Sequence, residues 1–94
     1  MRRSKLEIYI DILEVLRLRG PLKLTHIMYK SNVNCNILKE QLEFLIKNNL
    51  VEERMLRKER IVYAIAPRGL AILRTFREMK EIFPDEKREV PLLY

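Results

Sequence analysis

The stretch from Thr25 to Ile65, THIMYKSNVNCNILKEQLEFLIKNNLVEERMLRKERIVYAI, constrains the chain more than any other part of it. It reads as two short helices, a tight turn, and a β-hairpin whose tip is almost entirely basic. Thr25 is the expected N-cap of the first of these helices, His26 to Tyr29 or Lys30, with Ile27 as its core residue. Ser31-Asn32-Val33 supplies the turn, and Asn34 caps the second. Along that second helix, 34–48, Cys35, Leu38, Leu42, Leu45 and Ile46 fall on one arc at the 3.6-residue period. Asn36, Glu40, Glu43 and Lys47 are left on the opposite side. Asn48-Asn49 ends the helix, because asparagine tolerates the left-handed backbone used at helix ends. Strand candidates Glu52 to Leu56 and Ile61 to Ile65 follow, around Arg57-Lys58-Glu59-Arg60. The second strand is apolar on both faces, which makes it the better buried of the two.

Two further helices flank this unit. Ser4 caps a first helix with Glu7 in its opening turn, running to Arg19, where Gly20-Pro21 stops it. Its apolar arc, with Tyr9, Ile12, Leu13 and Leu16 at the centre, is wider than a simple surface helix needs, and Glu7, Asp11 and Glu14 form an acidic stripe that would repel DNA. That helix is expected to face the core, with a partner subunit as a further candidate neighbour. Leu22-Lys23-Leu24 alternates after the break and reads as an abbreviated strand. Pro67 suits the first turn of a last helix, Arg68 to Phe83, which Pro84 ends. Leu70, Ile72, Leu73, Phe76, Met79 and Phe83 cover about half of its circumference, more than the domain's own core should need, so part of that face is expected to dimerise. The tail 84–94 is charged and then apolar, without a period.

At 94 residues the chain is expected to be one domain, 1–83, plus the tail. A hydrophobic share of 48% with few glycines argues for a folded core. A lone Cys35 excludes an internal disulfide and falls on the inward arc, where a thiol is inert packing more often than a redox sensor. The opening MRRSKLEIYI lacks an apolar signal core, and no apolar run approaches the roughly 20 residues needed to cross a bilayer. The expected location is the cytoplasm, with no membrane partner.

Net charge is +6, and its placement is informative: residues 1–60 carry 13 basic against 8 acidic side chains, whereas residues 61–94 carry 6 against 5. Such an excess draws phosphate backbones, acidic proteins or anionic lipid alike.

The order helix, short strand, helix, turn, helix, two-stranded hairpin, helix resembles the archaeal winged helix-turn-helix DNA-binding proteins. More narrowly it resembles the small basic crenarchaeal proteins that dimerise through a C-terminal helix. The residues that carry the likeness are GPLKLTHIMYKSNVNCNILKEQLEFLIKNNLVEE, the hairpin ending in VYAIAPRGL, and the helix from Pro67, together about nine-tenths of the chain. The resemblance implies a mainly α fold with a small β-hairpin, a winged helix-turn-helix with an additional C-terminal helix, acting on double-stranded DNA as a homodimer, either as a transcription regulator or as a nucleoid-associated protein in the cytoplasm. One departure is that Pro84 limits the last helix to about 17 residues, short for the antiparallel coiled coil often seen in that family.

In such a fold the second helix of the motif enters the major groove while neighbouring elements hold phosphates. Asn34, Asn36 and Glu40, with Gln41 less well placed, are the candidate base readers, since asparagine pairs with adenine and glutamate accepts from cytosine N4. Arg54, Arg57, Lys58 and Arg60 of the wing are expected on the backbone or in the minor groove. Lys39, Lys30 and Lys23, with Arg2, Arg3 and Lys5, are expected on phosphates. A dimer would set two recognition helices roughly 34 Å apart on a palindrome. The rival reading is a winged-helix protein-interaction module: the recognition helix is neutral, Lys39 and Lys47 offsetting Glu40 and Glu43, and Phe44 lies outward, either packing under the wing or marking a protein contact.

No catalytic function is expected. The carboxylate pairs Glu40/Glu43 and Glu52/Glu53 lie on solvated faces without a nucleophile or phosphate loop. His26 is the only histidine and has no clustered ligands, so neither a metal nor another cofactor is expected, and no small-molecule ligand.

Overall fold

A computed structural model describes residues 4–83, which form four helices and one two-stranded antiparallel sheet. The tail 84–94 and the arginines at positions 2 and 3 lie outside the described residues.

Helix α1, Lys5–Arg19, starts in a capping box: the Ser4 hydroxyl accepts from the Glu7 N–H at 3.1 Å, and the Glu7 carboxylate accepts from the Ser4 N–H at 2.8 Å. Gly20 ends it at φ 80°, its N–H donating to Leu16 O at 2.9 Å. The helix buries Ile10, Ile12, Leu13 and Leu16. It packs against the two helices that follow it, the last helix and the second strand, so contacts among the described residues account for its wide apolar arc.

Leu22 alone makes a strand-like pair where Leu22-Lys23-Leu24 was expected as a strand. Its N–H donates to Tyr63 O at 3.0 Å and its carbonyl accepts from the Tyr63 N–H at 2.8 Å, tying the hairpin to the chain between α1 and α2. Helix α2, Leu24–Ser31, is longer than expected at both ends. It is entered from Lys23 with no side-chain cap, so Thr25 lies inside the first turn and is not the N-cap. Ser31 belongs to the helix and not to the turn, because its buried hydroxyl donates to Ile27 O one turn back. The turn proper rests on Asn32 in the left-handed conformation, φ 57° and ψ 48°.

Helix α3, Cys35–Lys47, is capped by Asn34, whose side-chain oxygen accepts from the Ile37 N–H at 3.0 Å. Asn49 reverses the chain at φ 63°. Strands β1, Val51–Leu56, and β2, Arg60–Ile65, pair from Val51↔Ile65 to Leu56↔Arg60. Of β1 only Val51 is buried, whereas β2 buries Val62 and Ala64, so the better-buried strand is the one its two apolar faces indicate. Helix α4, Pro67–Ile82, begins with proline at its first position and lies against α1.

The core gathers Ile12, Leu13 and Leu16 of α1, Ile27 of α2, Leu38, Leu42 and Leu45 of α3, Val51 of β1 and Leu73 of α4. Leu73 is 2% exposed and fills this core, so of the expected dimer residues it is the one that cannot meet a partner. Phe76 is half-buried against the same cluster. Glu14 links the last helix to the first, receiving Arg17 at 3.0 Å and Arg77 at 2.9 Å. Its stripe is therefore used in part to dock α4.

Candidate nucleic-acid interface

The turn at Asn32–Val33 sets the direction of α3, since Val33 is buried and its N–H donates to Met28 O at 3.3 Å. With Leu38, Leu42 and Leu45 buried, steps of 3.6 residues place Asn36, Glu40, Glu43 and Lys47 on the diametrically opposite line, and all four are exposed. Asn36 and Glu40 are thus free to meet a molecule laid along that face. Gln41 is not: it is 6% exposed, on the inward arc between Leu38 and Leu45, and cannot reach a base edge. Asn34 is exposed, but its oxygen is engaged by the helix cap, which leaves the amide N–H groups for any outside partner. Glu43 and Lys47 complete the outward line; the 3.6-residue period placed both there, though neither was among the expected base readers.

Between α3 and the hairpin lies an open groove of about 340 Å³, lined by Leu24, Lys39, Leu42, Glu43, Ile46, Glu53 and Tyr63. Lys39 and Glu43 thus face the wing side of α3. Burial, and after it the charge of Glu53, pushes the Tyr63 hydroxyl above its usual 10.0, so the phenol is neutral at ordinary pH and serves as a hydrogen-bonding group.

The wing turns through Arg57, Lys58 and Glu59. Lys58 and Glu59 both adopt left-handed backbone, each at φ 58°, and the Arg60 N–H closes the turn on Arg57 O. Every residue from Glu52 to Ile61 is exposed. Among the described residues Arg57, Lys58 and Arg60 have no ion-pair partner, whereas Arg54 is held by Glu52 of its own strand at 3.1 Å. Of the four cations of the hairpin, the three at the tip are thus unpaired and Arg54 is paired along its own strand. Lys23, at the entry of α2, and Lys30, near its end, are both exposed. Tyr29, 82% exposed beside Lys30, is a hydrogen-bonding side chain on the same helix that charge counting overlooks.

Phe44 packs neither under the wing nor freely outward. It stacks on Tyr9 of α1, ring centroids 4.6 Å apart and planes at 13°, while remaining 44% exposed. On α4, Ile72, Met79 and Phe83 are exposed, with half-buried Phe76 between them at 4-3-4 spacing, and Leu70 is exposed on another side of the helix. Cys35 is half-buried. Among the described residues no three His, Cys, Asp or Glu side chains converge to hold a metal, and no helix is long and apolar enough to cross a membrane.

A family model described as winged helix-turn-helix matches residues 2–83. Among solved structures, the reduced form of the transcriptional regulator YodB from B. subtilis is similar, with a TM-score of 0.70 at 25% identity over 85% of this chain and 76% of that one. A MarR family transcription regulator aligns with a TM-score of 0.71 at 23% identity over 80% of this chain; the chain spans only 52% of that protein. The apo-Zalpha domain of zebrafish PKZ aligns with a TM-score of 0.64 at 19% identity over 68% of this chain and 98% of that one. No curated protein sequence matches.

Proposed function

Because the chain belongs to the winged helix-turn-helix family, we propose that it is a DNA-binding regulator that lays α3 in the major groove and clamps the flanking backbone or minor groove with its wing. The observation that carries this reading is the wing tip, where Arg57, Lys58 and Arg60 are exposed with no ion-pair partner among the described residues. Unpaired cations on a projecting hairpin release condensed counterions when they meet phosphates, and that release drives affinity. Lys23, Lys30 and Lys39 add contacts beside the helix, and Asn36 and Glu40 read bases.

The proposal extends to assembly and place. Residues 1–83 form the binding unit, and 84–94 a tail. The apolar line Ile72, Phe76, Met79 and Phe83 joins two copies, as in the small basic crenarchaeal proteins that the sequence resembles, and presents two α3 helices to a palindrome. The protein works in the cytoplasm, at the nucleoid.

The test is a duplex-DNA titration across salt. Each phosphate contact steepens log K against log salt by about 0.9, so Arg57→Ala/Lys58→Ala/Arg60→Ala should flatten the slope by about 2.7 per protomer bound. Binding that ignores salt, or a triple variant with an unchanged slope, refutes the reading. Sedimentation of the protein as a monomer at micromolar concentration refutes the dimer.

A further inference from the structure

The outward face of α3 carries two carboxylates, Glu40 and, on its wing side at the edge of the groove, Glu43, three residues apart, between Asn36 at its start and Lys47 at its end. Neither carboxylate forms an ion pair with another described residue, and both are exposed opposite the buried Leu38, Leu42 and Leu45. If α3 occupies the major groove, these two side chains are carried to the base edges and away from the phosphates that would otherwise repel them.

An ionised carboxylate only accepts hydrogen bonds. In the major groove guanine presents only acceptors, N7 and O6, and thymine presents O4 and a methyl group. Only cytosine N4 and adenine N6 offer donors. Adenine sets the N7 acceptor beside its amino group, whereas cytosine has a C–H at the corresponding edge, so a second carboxylate oxygen is repelled at adenine and tolerated at cytosine. Three helical residues advance roughly 4.5 Å along the axis, near the 3.4 Å between stacked bases, so the two side chains reach neighbouring base pairs.

We infer that Glu40 and Glu43 together select cytosines at two neighbouring base pairs and reject guanine and thymine at those positions of the same strand. This rests on the DNA-binding reading and adds to it a base class and a direction of discrimination. The carboxylates act in two ways: they accept from cytosine N4 at the proper site, and they lower affinity for every other sequence by repulsion from acceptors and phosphates. The wing holds any duplex, and the carboxylates decide which one is kept.

The experiment is selection of the full chain on a randomised duplex pool, with sequencing of bound DNA. Wild type should enrich two adjacent cytosines on one strand, with roughly 5- to 150-fold discrimination at each position. Glu40→Gln and Glu43→Gln should each erase the preference at one of the two positions. The double variant should bind random duplex more tightly than wild type, with an unchanged circular dichroism spectrum. The Arg57→Ala/Lys58→Ala/Arg60→Ala variant should bind more weakly and keep the cytosine preference. Enrichment of guanine or thymine at those positions, or a sequence profile that both Gln variants leave intact, overturns the inference while DNA binding itself stands. Failure of wild type to bind any duplex at low salt overturns both.

Discussion

Gly69→Ala should destabilise the protein, although alanine is the better helix former. Gly69 lies in the first turn of α4, over the base of the hairpin. A methyl group on its α carbon would overlap the carbonyl oxygen of Leu50 and come to 2.9 Å from Ile65 Cγ1 and 3.2 Å from Leu50 C. That carbonyl accepts the Ala66 N–H at 3.0 Å, the bond that fixes the α3–β1 connection against the start of α4. Helix propensity favours alanine by about 1 kcal/mol at most. Against it stand overpacking, about 1–3 kcal/mol, and displacement of a bonded acceptor, about 1–3 kcal/mol. The expected net loss is about 3 kcal/mol, which lowers Tm by roughly 12–24 °C for a domain of this size. Thermal unfolding followed by circular dichroism measures it. Gly20→Ala is the internal contrast: at φ 80° and ψ −164° nothing lies within 4 Å of an added methyl, so only backbone strain opposes it, about 1–3 kcal/mol in a region essentially confined to glycine. A Tm for Gly69→Ala equal to or above wild type would refute the close approach of α4 to Leu50.

Three further outcomes follow from the same geometry. Glu59→Gly relieves a left-handed residue worth about 1 kcal/mol and removes the one acid among the three residues of the wing tip, so Tm and duplex affinity should rise together; a fall in Tm would show that Glu59 is not in that conformation. Tyr63 holds its proton more tightly in the folded chain, because burial first and Glu53 second raise its pKa above 10.0. Its contribution to stability is therefore complete below about pH 10 and is lost as pH rises through the raised value, and Tyr63→Phe should lose less Tm between pH 9 and pH 11 than wild type does. Phe44→Ala removes the stack on Tyr9, about 0.5–1.5 kcal/mol beyond the area buried, and urea midpoints should report a loss of roughly that size or slightly more; no change would mean that the rings do not pair in solution.

The parts of the fold legible in the sequence are those with local chemical punctuation. Ser4 with Glu7, Gly20-Pro21, Asn34, Asn48-Asn49 and Pro67 each mark a helix boundary by a side-chain or backbone preference that needs no tertiary context. The α2 boundaries were not legible, because packing of Ile27 and the Leu22–Tyr63 bridge start the helix without a cap, and a serine hydroxyl turned onto its own helix extends it past the expected turn. Gln41 misled for a related reason. Its polarity suggested an outward role, yet its position between Leu38 and Leu45 on the 3.6-residue period put it inside. The conformation of the tip carried no signal at all, since Lys58 and Glu59 replace the glycine or asparagine that usually announces left-handed backbone.

The distribution of charge over the interface has a consequence for what kind of DNA-binding protein this is. Along the outward line of α3 the two carboxylates outnumber Lys47, and the groove toward the wing adds Glu53 against Lys39. Unpaired cations stand at the wing tip, and Lys23, Lys30 and Lys39 lie exposed beside the helix, while Arg54 is paired on the surface with Glu52. Nonspecific affinity scales with the number of phosphates neutralised, so this arrangement keeps it low. If Glu40 and Glu43 meet the bases as inferred above, specific affinity depends on whether the bases offer them donors, and the penalty for a wrong base includes leaving a carboxylate against an acceptor. A protein built to coat DNA gains from cations along its whole contact surface; one whose recognition helix turns more carboxylates than cations outward gains less from nonspecific contact. On the ratio of specific to nonspecific binding the molecule fits a site-selective regulator better than a chromatin coat, and measuring random and selected duplexes at one salt concentration decides between them.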